Sequence, residues 1–87
     1  MHGGGIKMKN VNAITMSFGE FRDYIVMVSN GEASVESECG EWFYVSTEQY
    51  DADNIEKDLS DYLHVNIKYI LIDLTTEDED NVVLILE

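Results

Sequence analysis

Carboxylates are the side chains with which this chain could do most of its chemistry. From Asp23 to the C-terminus there are seventeen acidic residues and two basic ones, Lys57 and Lys68, and the formal net charge of the 87 residues is -13. Paired carboxylates serve many enzymes as general acid and base, but eighteen of them in one small chain single out no pair. A small domain usually carries a net charge of magnitude about 2 to 8, and a larger excess repels itself in the folded state. The charge therefore indicates a kind of partner more clearly than a reaction.

Two other side chains could support catalysis, the thiol of Cys39 and the imidazole of His64. A nucleophilic thiol needs a base within hydrogen-bond reach, and the sequence does not place these two residues together. We expect Cys39 to be a small buried core residue and His64 to end a helix, where a partly positive imidazole interacts well with the helix dipole. The enzyme alternative requires the two to be neighbours, and we predict that the chain is not an enzyme.

Metal and cofactor sites are not indicated by the sequence. Zinc needs three or four ligands at defined spacing, whereas the chain offers one cysteine and two histidines. The segment 51–56 begins like a calcium loop, but Ile55 and Glu56 stand where an EF-hand has an oxygen ligand and a glycine. No glycine-rich phosphate loop occurs. We predict no metal and no cofactor.

The remaining composition predicts one domain. Residues 1–7 hold three of the six glycines and read as a flexible N-terminal extension or expression remnant, and residues 8–87 read as a single acidic α+β domain. The longest apolar stretch, 69–72, is far shorter than the roughly 20 residues of a membrane-spanning helix, so we expect no membrane contact. With a single cysteine and no signal peptide, the expected location is the cytoplasm.

The first half of the chain is predicted to fold as one helix and three strands. Ser17 and Glu20 have the spacing of a capping box, and apolar residues then recur at helical spacing, which predicts a helix over 17–24. Asn30-Gly31 is the strongest short hairpin signal, because a type I′ turn needs a positive φ at both central residues. Strands are predicted on either side of this turn and in the aromatic run that follows, at 25–29, 32–38 and 41–46.

The second half is predicted to contain one helix and a second hairpin. Asp51 or Asp53 can cap a helix that runs to about His64 and has one apolar and one charged face. The next strand is apolar on both faces, which is typical of a central strand. It is followed by a polar turn and a last strand, the three segments lying at 65–74, 75–81 and 82–86. The order α-β-β-β-α-β-β gives an α+β fold in which two helices cover a mostly antiparallel sheet of about five strands.

Carboxylates displayed on rigid elements favour a protein partner over a nucleic acid. Nucleic-acid affinity comes mainly from Lys and Arg, so no direct binding of DNA or RNA is expected. In the strand 32–38, Ala33 and Val35 point to one face and the glutamates to the other, and same-face carboxylates lie about 6.6 Å apart, comparable in scale to a phosphate track. We therefore predict a non-enzymatic inhibitor that occupies the basic nucleic-acid-binding groove of a partner protein. The anionic contacts are distributed over Glu32, Glu36, Glu38, Glu41, Asp53, Glu56, Asp58 and Asp61.

A second interpretation assigns the interface to aromatic residues. Trp and Tyr anchor many interfaces, and alternate side chains in the run 42–44 face opposite sides of the sheet, so Trp42 and Tyr44 are candidate partner contacts as well. The chain would then be a homo-oligomer, for instance a homodimer, or an adaptor, and its acidity would serve solubility only. Charge reversal should matter most under the first interpretation, and replacement of Trp42 or Tyr44 under the second.

The chain resembles a known type of protein in its length, its charge, its opening Met16-Ser17-Phe18-Gly19-Glu20-Phe21 and its closing hairpin over 78–86. This type comprises the small, highly acidic α+β proteins of bacteriophages and mobile elements, including nucleic-acid mimics and anti-CRISPR inhibitors. The resemblance is one of type without a diagnostic motif, so it transfers no site residue. It implies a partner that is a CRISPR or other defence nuclease, or another nucleic-acid-binding protein, in the cytoplasm of a bacterial host cell.

Overall fold

The computed structural model of the protein describes residues 12–75 and 80–87. In this part of the chain two helices and five strands follow one another in the order β-α-β-β-α-β-β. All the strand pairs are antiparallel, so the predicted α+β class with two helices and five strands is confirmed. The predicted extension at 1–7 and most of the predicted turn at 75–81 lie outside the described residues. The elements are β1 (Ala13–Met16), α1 (Phe18–Val28), β2 (Ser34–Glu38), β3 (Glu41–Val45), α2 (Ala52–Leu63), β4 (Ile67–Ile72) and β5 (Val82–Leu86).

The described strands form two sheets rather than the single sheet predicted. A three-stranded sheet has the order β1-β5-β4, and β2 pairs with β3 in a separate two-stranded sheet. In the larger sheet Val82 of β5 lies between Met16 of β1 and Ile72 of β4. β5 is therefore the central strand and β4 an edge strand, which corrects the central position predicted for 65–74. The segment is apolar on both faces because Ile70 and Ile72 pack against the core, while Tyr69 and Leu71 are exposed on the opposite face.

Helix α1 is longer than predicted and includes a segment expected to be a strand. Its predicted capping box is confirmed, because the Glu20 N–H donates to Ser17 Oγ at 3.1 Å and the Ser17 N–H donates to the Glu20 carboxylate at 3.2 Å. Beyond the predicted end at residue 24, Ile25 lies one turn after Phe21, and both are fully buried. A β-branched residue costs less than about 0.7 kcal/mol in a helix, and burying one apolar side chain contributes more than that.

The Asn-Gly pair closes this helix instead of a hairpin. The Gly31 N–H donates to the Val26 carbonyl at 2.9 Å and the Asn30 N–H to the Met27 carbonyl at 3.1 Å, which is the Schellman pattern. Asn30 and Gly31 have φ values of 56° and 85°, so the left-handed pair expected from the sequence is present. The strand predicted at 25–29 is wrong, because a left-handed pair ends a helix as readily as it turns a hairpin. With β1 ahead of α1, the element order begins β-α rather than α-β.

The first hairpin of the chain turns at Cys39-Gly40. These two residues join β2 to β3 with φ values of 56° and 82°, as in a type I′ turn, and Glu38 pairs with Glu41 on either side. Cys39 is exposed at this turn. The expectation of a buried core cysteine is therefore wrong.

Helix α2 begins and ends close to the predicted residues. The Asn54 N–H donates to the Asp51 side chain at 3.1 Å, so Asp51 is the N-cap. At the other end His64 has a φ of 59°, and the Val65 N–H donates to the Ser60 carbonyl at 3.0 Å. His64 thus terminates the helix in the left-handed conformation.

One apolar core joins both sheets to both helices. Its fully or almost fully buried members come from β1, α1, the start of β2, α2 and β5, and they are Met16, Phe21, Ile25, Ala33, Val35, Ile55, Leu59, Val82 and Leu84. Ala33 and Val35 point inward as predicted. Because the two sheets share no strand pair among the described residues, packing on the helices holds the β2–β3 hairpin in place.

Ser29 is a buried polar residue that ties the end of α1 to the approach to β2. Its Oγ accepts from the Ala33 N–H at 3.0 Å and lies 3.1 Å from the Ala33 carbonyl oxygen. Ser29→Ala leaves this buried N–H without its partner, so we expect the free energy of unfolding to fall by about 1 to 3 kcal/mol in urea unfolding. Ser46→Ala removes a hydroxyl from an exposed residue and should change the free energy by less than about 0.5 kcal/mol. Equal stability of the two variants would contradict this role of Ser29.

Candidate protein-binding surface

Three of the predicted contact residues share one face of the β2–β3 hairpin with two exposed apolar side chains. Strand alternation and the pairing register put Glu36, Glu38 and Glu41 on the same side as Phe43 and Val45. Phe43 is 46% exposed and Val45 is 48% exposed. These five residues are called the hairpin outer face below. Anionic groups beside exposed apolar groups fit a partner surface that is both basic and partly apolar.

The two predicted aromatic contacts lie on the inner face of the same hairpin. Trp42 and Tyr44 are partly buried and pack against the core. The Trp42 ring meets Phe21 of α1 edge-on at 6.3 Å and Tyr44 at 5.2 Å, measured between ring centroids. Such pairs contribute about 0.5 to 1.5 kcal/mol beyond the burial of area. Their inward placement gives no support to an interface built on Trp42 and Tyr44, and Phe43 is the outward aromatic residue that the sequence interpretation missed.

Arg22 of α1 fixes the position of the hairpin. Its Nε donates to the Val35 carbonyl at 3.1 Å, and one terminal nitrogen lies 3.7 Å from the Glu36 carboxylate. The guanidinium also lies 5.4 Å from the centre of the Phe18 ring. Because both partners of the ion pair are well exposed, the pair itself contributes at most about 1 kcal/mol. The arginine therefore acts mainly by positioning β2, and it partly neutralises Glu36.

Two predicted contact residues on α2 are hydrogen-bonded to tyrosines within the molecule. The Tyr44 hydroxyl donates to the Glu56 carboxylate at 2.9 Å, and the Tyr50 hydroxyl donates to Asp58. Burial and the adjacent Glu56 carboxylate raise the pKa of Tyr44. Partial burial and the hydrogen bond to Asp58 raise the pKa of Tyr50 to about 12. Glu56 and Asp58 thus fasten α2 to β3 and to the turn after it, and they are less free to contact a partner than predicted.

The other predicted carboxylates lie on separate elements. Asp61 forms an exposed ion pair with Lys57 at 3.2 Å. Asp53 is exposed in the first turn of α2, where a negative charge interacts favourably with the helix dipole. Glu32 is exposed between α1 and β2. Of the eight predicted anionic contacts, the structure therefore places three on one shared face.

Like charges meet at the tip of the hairpin. Glu38 and Glu41 are directly opposite each other across the strand pair, an arrangement that costs about 0.2 to 1 kcal/mol. The ion pairs formed by Arg22 and Lys57 go to other carboxylates, so neither of these bases neutralises the tip. Cys39 lies in the turn between Glu38 and Glu41, whereas His64 lies at the end of α2. The described residues show no hydrogen bond between Cys39 and His64.

A shallow groove between α1 and α2 is a second feature that the sequence interpretation missed. It has a volume of about 220 Å³ and is lined by Glu20, Asp23, Tyr24, Met27 and Tyr62. The Tyr24 and Tyr62 rings lie 5.9 Å apart at an angle of 56°. The groove combines aromatic and acidic groups, as the hairpin outer face does. Its residues come from two helices, and only the assembled fold brings them together.

The described residues and the comparisons with known proteins add three negative findings. Within residues 12–75 and 80–87, no three His, Cys, Asp or Glu side chains are grouped as a metal site. Neither α1 nor α2 has the length and apolar character that crossing a membrane requires. No protein-family model, no curated protein and no solved structure matches the chain.

The Tyr50–Asp58 contact predicts a change of stability at alkaline pH. Because the fold raises the pKa of Tyr50 from 10.0 to about 12, the folded chain holds this proton more tightly than the unfolded chain. The resulting stabilisation is fully present below pH 10.0 and is lost as the pH rises through about 12. Ultraviolet titration should show a phenol ionising near pH 12 that is absent from Tyr50→Phe and still present in the control Tyr69→Phe. A titration in which Tyr50→Phe removes an ionisation near pH 10.0 instead would contradict the contact.

Proposed function

We propose that the protein is a non-enzymatic inhibitor that occupies the basic nucleic-acid-binding groove of a partner protein, and that the hairpin outer face is its main contact. The partner is a basic nucleic-acid-binding protein, of which a CRISPR or other defence nuclease in a bacterial cell is an example. The observation that carries the proposal is the pair Glu38 and Glu41, held opposite each other at an exposed hairpin tip, where no basic residue of the described part of the chain pairs with either.

The spacing of the glutamates supports mimicry of a nucleic-acid backbone. Glu36 and Glu38 are two positions apart on one strand, hence about 6.6 Å along it, and Glu41 is the cross-strand neighbour of Glu38 at about 5 Å. Double-stranded DNA carries one charge per about 1.7 Å of axis, or 3.4 Å per strand, so the hairpin presents a sparser set of anions on a similar length scale. A row of Lys and Arg side chains in a nucleic-acid groove can pair with such a set.

The repulsion between Glu38 and Glu41 in the unbound protein favours binding of a basic partner. Two carboxylates facing each other repel, and a cationic side chain placed between them converts that repulsion into two attractions. The net charge of -13 adds long-range steering, which can raise association rates by roughly 10 to 1,000 times at low salt. Both effects weaken as salt is added, because the Debye length falls from about 30 Å at 0.01 M to about 8 Å at physiological ionic strength.

The exposed apolar residues Phe43 and Val45 can add buried apolar area to a complex, in addition to the ion pairs of the carboxylates. Surface ion pairs contribute little each, about 0 to 1 kcal/mol, so affinity needs buried apolar area as well. Phe43 and Val45 stand on the same face as the glutamates and are each about half exposed. We therefore assign the anchoring contact to Phe43 and the orientation of the complex to the carboxylates.

The charge contribution is tested by capture from a bacterial lysate at low salt. Wild-type protein is compared with Glu38→Gln/Glu41→Gln and with the control Glu48→Gln/Glu87→Gln, which removes the same charge from two exposed positions outside the hairpin. We expect nucleic-acid-binding proteins, identified by mass spectrometry, to be retained by wild type and control and lost by roughly tenfold from the hairpin variant. Added duplex DNA and a high-salt wash should release them. Retention unaffected by the hairpin variant, by DNA and by salt would overturn the proposal.

The apolar contribution is tested on whichever protein the capture retains. Phe43→Ser leaves every charge in place, and we expect it to weaken binding by about 1 to 3 kcal/mol in isothermal titration calorimetry. Met27→Ser, at an exposed apolar position of α1, is the matched control and should bind like wild type. Loss of binding in Met27→Ser with no effect of Phe43→Ser would move the anchor from the hairpin to the groove between the helices.

A further inference from the structure

Among the described residues, the outer face of the strands β1, β5 and β4 carries no acidic residue. One basic residue, Lys68, is exposed beside this face at the β-bulge of β4. Register and alternation place two cross-strand rows on this face, Ala13–Ile85–Tyr69 and Thr15–Val83–Leu71. The opposite face contributes Val82 and Leu84 to the core and is covered by the helices. We call the six residues of the two rows the sheet outer face. In a chain with eighteen acidic residues, a whole sheet face without a carboxylate calls for a physical explanation.

An apolar outer face is unusual for a sheet of this kind. An antiparallel sheet with one packed face normally alternates apolar residues inward with polar residues outward. Here the outward positions of β4 are Tyr69 and Leu71, which are 48% and 51% exposed, and those of β5 are Val83 and Ile85. None of these four side chains packs against the core formed by the described residues. Exposed contiguous apolar surface of this sort marks an interaction site.

We propose that this face binds a second copy of the chain, so that two sheets pack face to face in a symmetric dimer. A face without carboxylates offers a basic partner no ion pairs. In a symmetric dimer the same patch of both copies forms the contact, so the patch must be complementary to itself. On this chain a patch without carboxylates meets that condition, because contact between any two acidic patches brings like charges together. Packed sheets lie about 10 Å apart, and the acidic helix α2 lies on the far side of each sheet, beyond the Debye length of about 8 Å at physiological salt.

The size of the face predicts a weak and reversible dimer. Six residues on three strands are far fewer than the roughly 20 to 30 residues on each side of a standard interface. We therefore expect a dissociation constant in the range of about 10 to 1,000 µM, well above that of standard-size complexes. Repulsion between two chains of charge -13 opposes the dimer at low salt, so added salt should strengthen it. This salt dependence is opposite in sign to that of binding to a basic partner, and the dimer does not depend on the proposed function.

Sedimentation equilibrium of the full chain tests the dimer. We expect the dissociation constant to fall several-fold as NaCl is raised from about 0.02 M to about 0.5 M. Leu71→Ser should raise it at least about tenfold, and the milder Val83→Thr, which keeps a β-branched shape, should raise it by a smaller factor. Met27→Ser removes a similarly exposed apolar side chain from α1 and should leave the dissociation constant of the dimer unchanged. Circular dichroism establishes that each variant is folded.

Three results would overturn the dimer. One is a wild-type chain that stays monomeric up to about 1 mM at the higher salt, the upper limit of the expected range. A second is a dimer that Leu71→Ser and Val83→Thr leave intact, and the third is a dimer that weakens as salt is added. Glu38→Gln/Glu41→Gln should not weaken self-association, so loss of the dimer and loss of the basic partner are distinguishable.

Discussion

The packing of helix α1 is the interaction on which the rest of the structure depends. A two-stranded hairpin is at best marginally stable alone in water, and β2–β3 shares no strand pair with the larger sheet in the described residues. Phe21 contacts Trp42 from one side of the helix, and Arg22 donates to the Val35 carbonyl from the next position. These contacts turn a marginal hairpin into a fixed support. Because α1 packs against the inner face of the hairpin, the outer face is the one left exposed.

The excess of carboxylates is divided between internal and external roles. Glu20 and Asp51 cap helices, and Glu56 and Asp58 accept hydrogen bonds from tyrosines. These acidic residues stabilise the fold through hydrogen bonds within the molecule. Within residues 12–75 and 80–87 the tip glutamates accept no such side-chain hydrogen bond, and the six residues of the sheet outer face include no acidic one. The described part of the chain therefore has two chemically different exposed surfaces, one anionic and one apolar, and the two proposals assign a different partner to each.

Local sequence signals predicted most elements, and their failures have physical causes. Both capping sites follow from short-range spacing, as does the strand 82–86. The run 25–29 looks like a strand because its residues are β-branched, yet Phe21 and Ile25 share a helical face, and burial outweighs propensity. β1 has only four residues, too few for a clear period. Alternation predicted that Trp42 and Phe43 face opposite ways, but only the position of α1 decides which of them faces inward.

Amide chemical-shift mapping tests the central claim, that the hairpin outer face is the surface for a basic partner. Isotope-labelled protein is titrated with a lysine-rich DNA-binding domain of known structure at low salt. The account predicts that the largest shifts fall on Glu36, Glu38, Glu41 and Phe43, that duplex DNA reverses them, and that the sheet outer face is unaffected. Shifts confined to Tyr69, Leu71, Val83 and Ile85, or no saturable shift on the hairpin, would contradict it.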